Sequence, residues 1–233
     1  MLDHPKTAIT WEMKATDINA EYCRHSNSLY IPAGILQMPF YDVNVPDAVN
    51  MGGIGTILTH EISHAFDVNG RFHDKDGFMV SWWPNVIVDM YKERAACFIS
   101  QFNQYKVIEL EKINKTVYGP GEQTQSENIA DSSGLQTLAA VYRAKAAQRG
   151  HEEPRLPYLT KYTNEQVFFM SFANSFCDNM RPEMMLFQTE VDQHSTLHLR
   201  VIGSIANTQE FGEAFNCSAG TPMNPKKKCN LWK

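Results

Sequence analysis

Along the chain, apolar residues recur at spacings of three and four far more often than they alternate, which is the pattern of amphipathic helices. Residues 46–68 begin at Pro46-Asp47 and bring Ile54, Ile57, Leu58, Ile62, Ala65 and Phe66 together, and Asn69-Gly70 supplies a stop. Pro84, suited to a first turn, opens a second helix running to about Val107, with Val88, Tyr91, Ala95, Phe98 and Phe102 as its buried stripe. The glycine and proline density of 111–124 reads as a loop. Further helices are expected over about 125–149 and 163–181, the latter with Thr163 as N-cap. Asn207-Thr208-Gln209-Glu210 has the spacing of a capping box and predicts a short last helix. Only 18–24 and 27–32 read as strands, with "HSN" as the turn between them. The expected fold is mainly α with a small β-hairpin near the N-terminus, in a single domain over 1–233.

Composition narrows the function classes. At 233 residues the chain is long enough to bury a real core. A net charge of −5 leaves no basic face for nucleic acid, and the one basic run, Lys226-Lys227-Lys228, is short and reads as a solvated turn. No stretch has the length and apolarity of a membrane span, and "MLDHPKTAITWEMK" lacks the charged and apolar regions of a signal peptide. Five cysteines, Cys23, Cys97, Cys177, Cys217 and Cys229, form no CxxC pair. Two glycosylation sequons, at Asn114 and Asn216, point with the cysteines towards an oxidising compartment.

The candidate chemistry sits in "GGIGTILTHEISHAFDVNGR", residues 52–71. On a helix His60 and His64 share one face and can reach one ion, while Glu61 projects beside them, where it can take a proton from water. Two histidines on an amphipathic helix would also satisfy this stretch taken alone. A catalytic zinc takes three protein ligands, and "SENIADSSGL" (126–135) offers the third. Glu127 and Asp131 lie four apart, so Glu127 can complete a two-His, one-Glu shell. Asp131, one turn on, can accept the free ring N–H of a bound histidine.

The pairing of "HEISHAFD" with "ENIAD" resembles the neprilysin and endothelin-converting-enzyme family of zinc endopeptidases, and the likeness runs from about residue 17 to 232. It includes "NAEYCRHSNSLYIPAGILQMPFYD", "NGRFHDKDGFMVSWW", "VDQHSTLHLRVIG" and "EFGEAFNC…MNPKKKCNLW". The resemblance implies a thermolysin-like (gluzincin) catalytic domain with one Zn2+ per chain, held by His60, His64 and Glu127. Glu61 would be the general base and Asp131 the support for a ligand. By the same resemblance His194 hydrogen-bonds the oxyanion, Arg200 grips a substrate carbonyl, and Asn19 and Ala20 hold an extended substrate. Phe40, Ile57 and Phe176 match the apolar pocket for the side chain after the cut, where Thr56 and Ser175 replace residues that look apolar in relatives. The implied activity is hydrolysis of oligopeptides on the amino side of hydrophobic residues.

The resemblance also implies a cell-surface or extracellular setting, a disulfide between Cys97 and Cys229, and partners for Cys177 and Cys217 outside this chain. Full-length relatives carry an N-terminal membrane anchor and a closing helical domain, so the chain is expected to be a fragment. The alternative from a different class is a catalytically silent zinc-binding or interaction domain. Ser126, Ser132-Ser133, Thr59 and Thr196 depart from the family pattern, and Thr196 is expected to loosen the loop that aims His194.

Overall fold

A computed structural model describes residues 13–232; residues 1–12, which include most of the stretch read for a signal peptide, and Lys233 lie outside the described residues. Strands β1 (Glu21–Cys23) and β2 (Ser28–Tyr30) pair antiparallel with Glu21 opposite Tyr30, Tyr22 opposite Leu29 and Cys23 opposite Ser28. Asn27 turns the chain between them at φ 47°. The hairpin is shorter than its alternating pattern suggests.

The expected helix at 46–68 is composite: α1 (Asp47–Asn50), a π-turn (Met51–Gly55), α2 (Thr56–Ser63) and a closing 3-10 turn (His64–Phe66). Ile54 donates its N–H outward to the Phe40 carbonyl at 2.8 Å, and such a departure from the ladder fits a π-turn. Glycine permits this approach: a Cβ at Gly53 would stand 2.4 Å from the Phe40 carbonyl oxygen. Only part of the expected apolar face is covered: Ile54 is buried and Ile57, Leu58 and Ala65 are half-buried. Ile62 and Phe66 are exposed, whereas His60, Glu61, His64 and the following Asp67 are buried. The polar stripe turns inward because α4 (Gln125–Arg149) crosses α2 with polar groups of its own, Glu127 and Asp131, also buried.

α3 (Asn85–Phe102) buries Tyr91, Ala95, Phe98 and Phe102 as expected, with Val88 half-buried, but stops before Val107. Beyond Phe102 the backbone is drawn off to the 117–119 loop: Val107 donates to Val117 and Gly119 donates to Tyr105. The loop expected over 111–124 begins with the end of a 3-10 segment (Ile108–Ile113). α5 (Asn164–Asn174) begins at a capping box between Thr163 and Gln166 and ends short of residue 181. Two further helices, α6 (Pro182–Val191) and α7 (Leu197–Asn207), lie outside the elements expected from the sequence.

α8 (Gln209–Ala214) is present, but without the expected capping box. Thr208 donates its hydroxyl to the Ser204 carbonyl, and the Asn207 side chain is engaged by Gln101, Ser132 and the Cys229 N–H. The fold is mainly helical, as expected. α4 runs through it, giving Leu135 and Leu138 to a core with Phe168, Phe169 and Phe172, and Ile129 to a second with Tyr91 and Phe98. Cys97 on α3 and Cys229 are joined by a disulfide, while Cys23, Cys177 and Cys217 carry none. No described helix is long and apolar enough to cross a membrane.

Candidate functional site

α2 and α4 meet where Gly134 faces the α2 backbone: a Cβ there would stand 2.9 Å from the His60 nitrogen. That close crossing brings residues about seventy positions apart into one cluster. The Nε2 atoms of His60 and His64 are 3.0 Å apart, and Glu127 Oε2 lies 3.2 Å and 3.3 Å from them. His60 donates its Nδ1–H to Asp131 Oδ1 and His64 donates its Nδ1–H to Asp67 Oδ2, both at 2.7 Å. With Nδ1 as the donor, a neutral imidazole presents its Nε2 lone pair to the centre.

Ligand atoms of His60, His64 and Glu127 all lie within 4.8 Å of one another. Glu127 Oε2 is buried and faced by the Nε2 atoms of His60, His64 and His194 at 3.1–3.3 Å, none of them aligned as a hydrogen bond to it. Two nitrogen lone pairs and a carboxylate oxygen that converge out of water repel one another unless a cation stands among them. The two-nitrogen, one-oxygen donor set suits zinc. The residues present therefore fit the ion.

The acidic groups around the two histidines favour positive charge at this spot, as a proton on each ring where no ion stands. Burial opposes a charge on His60, but Asp131 and Glu127 outweigh it and raise its pKa; at His64, Asp67 and Glu127 carry it to about 10. Asp67 falls to about 2 although burial works against the carboxylate, because the His64 N–H, the Gly70 N–H and the Ser126 hydroxyl point at it. Against burial, contacts with His194, His60 and His64 lower Glu127, and Arg200 and His60 lower Asp131, both well below the usual carboxylate range. Glu61 shifts the other way: burial pushes its carboxyl up, and the two histidines and the Tyr22 N–H offset that only in part.

Glu61 stands beside the cluster, with Oε1 at 4.0 Å from His60 Nε2 and Oε2 accepting the Tyr22 N–H. His194 reaches in from the loop before α7 with Nε2 at 3.1 Å from Glu127 Oε2, and Asp192 Oδ1 accepts its Nδ1–H at 2.9 Å. Contact with Glu127 raises the His194 pKa despite burial. The loop is held through the residue before Thr196. Ser195 is buried and bonds Thr124 and Asn128, and Thr196 is the N-cap of α7, although its buried hydroxyl has no hydrogen-bond partner.

Arg200 grips Asp131 with Nε at 2.7 Å and Nη2 at 2.8 Å, and its guanidinium lies over the Phe176 ring. The fold thus brings His60, His64, Glu127, Glu61, Asp131, His194 and Arg200 together, with Phe176 against Arg200. Asn19 is exposed and Ala20 buried just ahead of β1. Phe40 lies against the π-turn ahead of half-buried Ile57. Thr56 and Ser175 direct their hydroxyls back onto their own helix carbonyls, Gly52 and Gly53 for one and Ser171 for the other.

Sequence reasoning missed Asp67 as the support for His64. The signal was available, because Asp67 follows His64 by three residues within one helical turn. Ser126, noted there only as a departure, donates its hydroxyl to Asp67. Tyr22 acts through a backbone N–H, and no residue-type pattern reveals that.

Residues 19–231 match the family model described as peptidase family M13. Bovine endothelin-converting enzyme 1 is 43% identical over 222 residues, 95% of this chain. Neprilysin-3 of Drosophila melanogaster is 38% identical over 231 residues, 99% of this chain. The chain spans 28% of the length of each of those two relatives. Among solved structures, the Mycobacterium tuberculosis zinc metalloprotease ZMP1 in complex with inhibitor superposes with a TM-score of 0.88 at 29% identity, covering 96% of this chain and 34% of that one.

Proposed function

The chain belongs to peptidase family M13, and on that premise we propose that it is the catalytic portion of a zinc-dependent metalloendopeptidase acting on oligopeptides. The carrying observation is the convergence of His60 Nε2, His64 Nε2 and Glu127 Oε2 with Glu61 beside them. His60, His64 and Glu127 hold one Zn2+ per chain. Zinc bound there supplies a Lewis acid that acidifies water and polarises the scissile carbonyl.

Glu61 takes the proton of the attacking water and passes it to the leaving amine. Its carboxyl is buried beside the cluster, with Oε1 4.0 Å from His60 Nε2, which is where a general base has to stand. The Tyr22 N–H holds Oε2 and leaves Oε1 for the transfer. His194 donates from Nε2 to the developing oxyanion while Asp192 orients the ring. Asp131 fixes the tautomer of His60.

Arg200 spends Nε and Nη2 on Asp131 and keeps Nη1 for a substrate carbonyl beyond the cut. Asn19 and Ala20 hold the extended peptide alongside β1. Phe40, Ile57 and Phe176 take the hydrophobic side chain on the amino side of which the bond is cut. The described residues form one catalytic domain, with the cell-surface or extracellular setting that the resemblance implies.

The test is cleavage of a quenched peptide series by the purified, zinc-loaded chain, with and without a chelator. Chelator-sensitive cleavage before apolar residues is the expected result. Zinc binding with no cleavage would replace this reading by the silent zinc-binding domain.

A further inference from the structure

Each candidate zinc histidine is backed by an aspartate, and each aspartate is backed by an arginine. Behind His60 the order is Asp131, then Arg200. Behind His64 it is Asp67, then Arg24, whose Nη2 lies 3.3 Å from Asp67 Oδ2. Arg24 directly follows the last residue of β1.

Asp67 is fully buried, so its charge must be met from within the protein. Oδ1 accepts the N–H groups of Asn69 and Gly70, and Oδ2 accepts the Ser126 hydroxyl, the His64 N–H and Arg24. All but Arg24 are neutral once His64 is the neutral imidazole that metal ligation requires. Arg24 is then the one cation on Asp67 among the described residues. With both aspartates paired to arginines, the charge left facing a dication is that of Glu61 and Glu127.

We propose that Arg24 is a positioning residue for the metal centre: it fixes Asp67, and through Asp67 the ring of His64. It also ties the end of β1, the strand proposed to receive substrate, to a metal ligand 40 residues away in sequence. This rests on the reading of His64 as a zinc ligand, and a separate arm of the experiment tests that premise.

Zinc affinity of the purified chain is measured by competition with a chromophoric chelator for the parent, Arg24→Met, Arg24→Lys, Asp67→Asn and the Arg24→Met/Asp67→Asn double variant. Loss of such support costs on the order of tenfold in metal affinity. Arg24→Met is expected to weaken zinc by about that factor, with Arg24→Lys recovering most of it. The metal-free protein should also unfold somewhat earlier in Arg24→Met, because buried Asp67 loses its cation there too, so zinc affinity is read at a temperature where every variant is folded. In the Asp67→Asn background the Arg24 effect should disappear.

Cobalt(II) absorption spectra of the substituted protein give a second readout, expected to change in Arg24→Met and return in Arg24→Lys. An Arg24→Met variant binding zinc as tightly as the parent overturns the proposal. So does an effect that persists without Asp67, or one that appears only in metal-free stability. A parent chain that binds no zinc removes the premise and the proposal together.

Discussion

The backbone N–H of Tyr22 donates to Glu61 Oε2 at 2.8 Å, across 39 residues of chain. The buried carboxylate beside the histidines is thus held by the strand that would carry the substrate. Glutamine in its place keeps the size and can still accept that N–H, but it cannot take a proton. Glu61→Gln is therefore expected to bind zinc like the parent while losing about 10²- to 10⁴-fold in kcat. Zinc content and peptide turnover measured on one preparation check this. Near-parental turnover would remove Glu61 as the base.

The crossing at Gly134 gives a second prediction. An alanine there would gain up to about 1 kcal/mol in helix propensity. Its Cβ would meet the backbone of His60 and Thr59 at 2.9 Å and 3.0 Å, atoms that cannot swing aside. Overpacking of this kind costs roughly 1–3 kcal/mol, so Gly134→Ala should be destabilised on balance. It should also bind zinc more weakly, because relief of the clash moves His60 away from Glu127. Chemical denaturation and chelator competition would report both effects.

Asp47 predicts a pH dependence away from the metal centre. Its carboxylate meets Lys145 at 2.7 Å and Arg149 at 3.1 Å, and the contact with Lys145 is the main cause of a pKa lowered from 3.8. A carboxyl depressed in the folded state adds stability above its unfolded pKa, and the gain is lost as pH falls through the folded value. The group is partly exposed, so the contribution is at most about 0.5 kcal/mol after solvent screening. Asp47→Asn should be slightly less stable than the parent near neutral pH and equal to it in acid. Denaturant midpoints at both pH values test this, and a difference that survives in acid would assign it to something other than the charge.

The parts of the site legible in sequence are those fixed by spacing within one helix. His60, Glu61 and His64 share one helix, Glu127 and Asp131 another, and helical geometry alone puts each set on one face. The joining of the two sets depends on the crossing at Gly134, which spacing does not express. Periodicity marks Ile62 and Phe66 as part of an apolar face without saying whether protein covers it; at this end of the helix the covered residues are the polar ones, His60, Glu61 and His64. In α7, Leu197, Val201 and Ile205 are spaced by four as in a helix, while the β-branched Val201, Ile202 and Ile205 suit a strand as well. For α6, Pro182 at the first position was a usable signal. Arg24 and Tyr22 act across tertiary contacts, one through an ion pair and one through the backbone.

The disulfide between Cys97 and Cys229 spans 132 positions and ties α3 to the tail. That tail is also engaged elsewhere: the Cys229 N–H donates to Asn207 and its carbonyl accepts from Gln136 on α4. Its removal should act mainly on the unfolded chain, whose entropy the long loop restricts, and the chain-entropy model gives about 4–5 kcal/mol for a loop of this size. The double variant Cys97→Ala/Cys229→Ala should then unfold about 10 °C or more below the parent. Because the hydrogen bonds of the tail and the α2–α4 crossing do not pass through the sulfur atoms, zinc affinity at low temperature should be nearly unchanged. Calorimetry with chelator competition on the same variant separates the two effects. A large loss of zinc binding at a temperature where the variant is still folded would show that the tail, through Gln136, helps to hold α4 in register with α2.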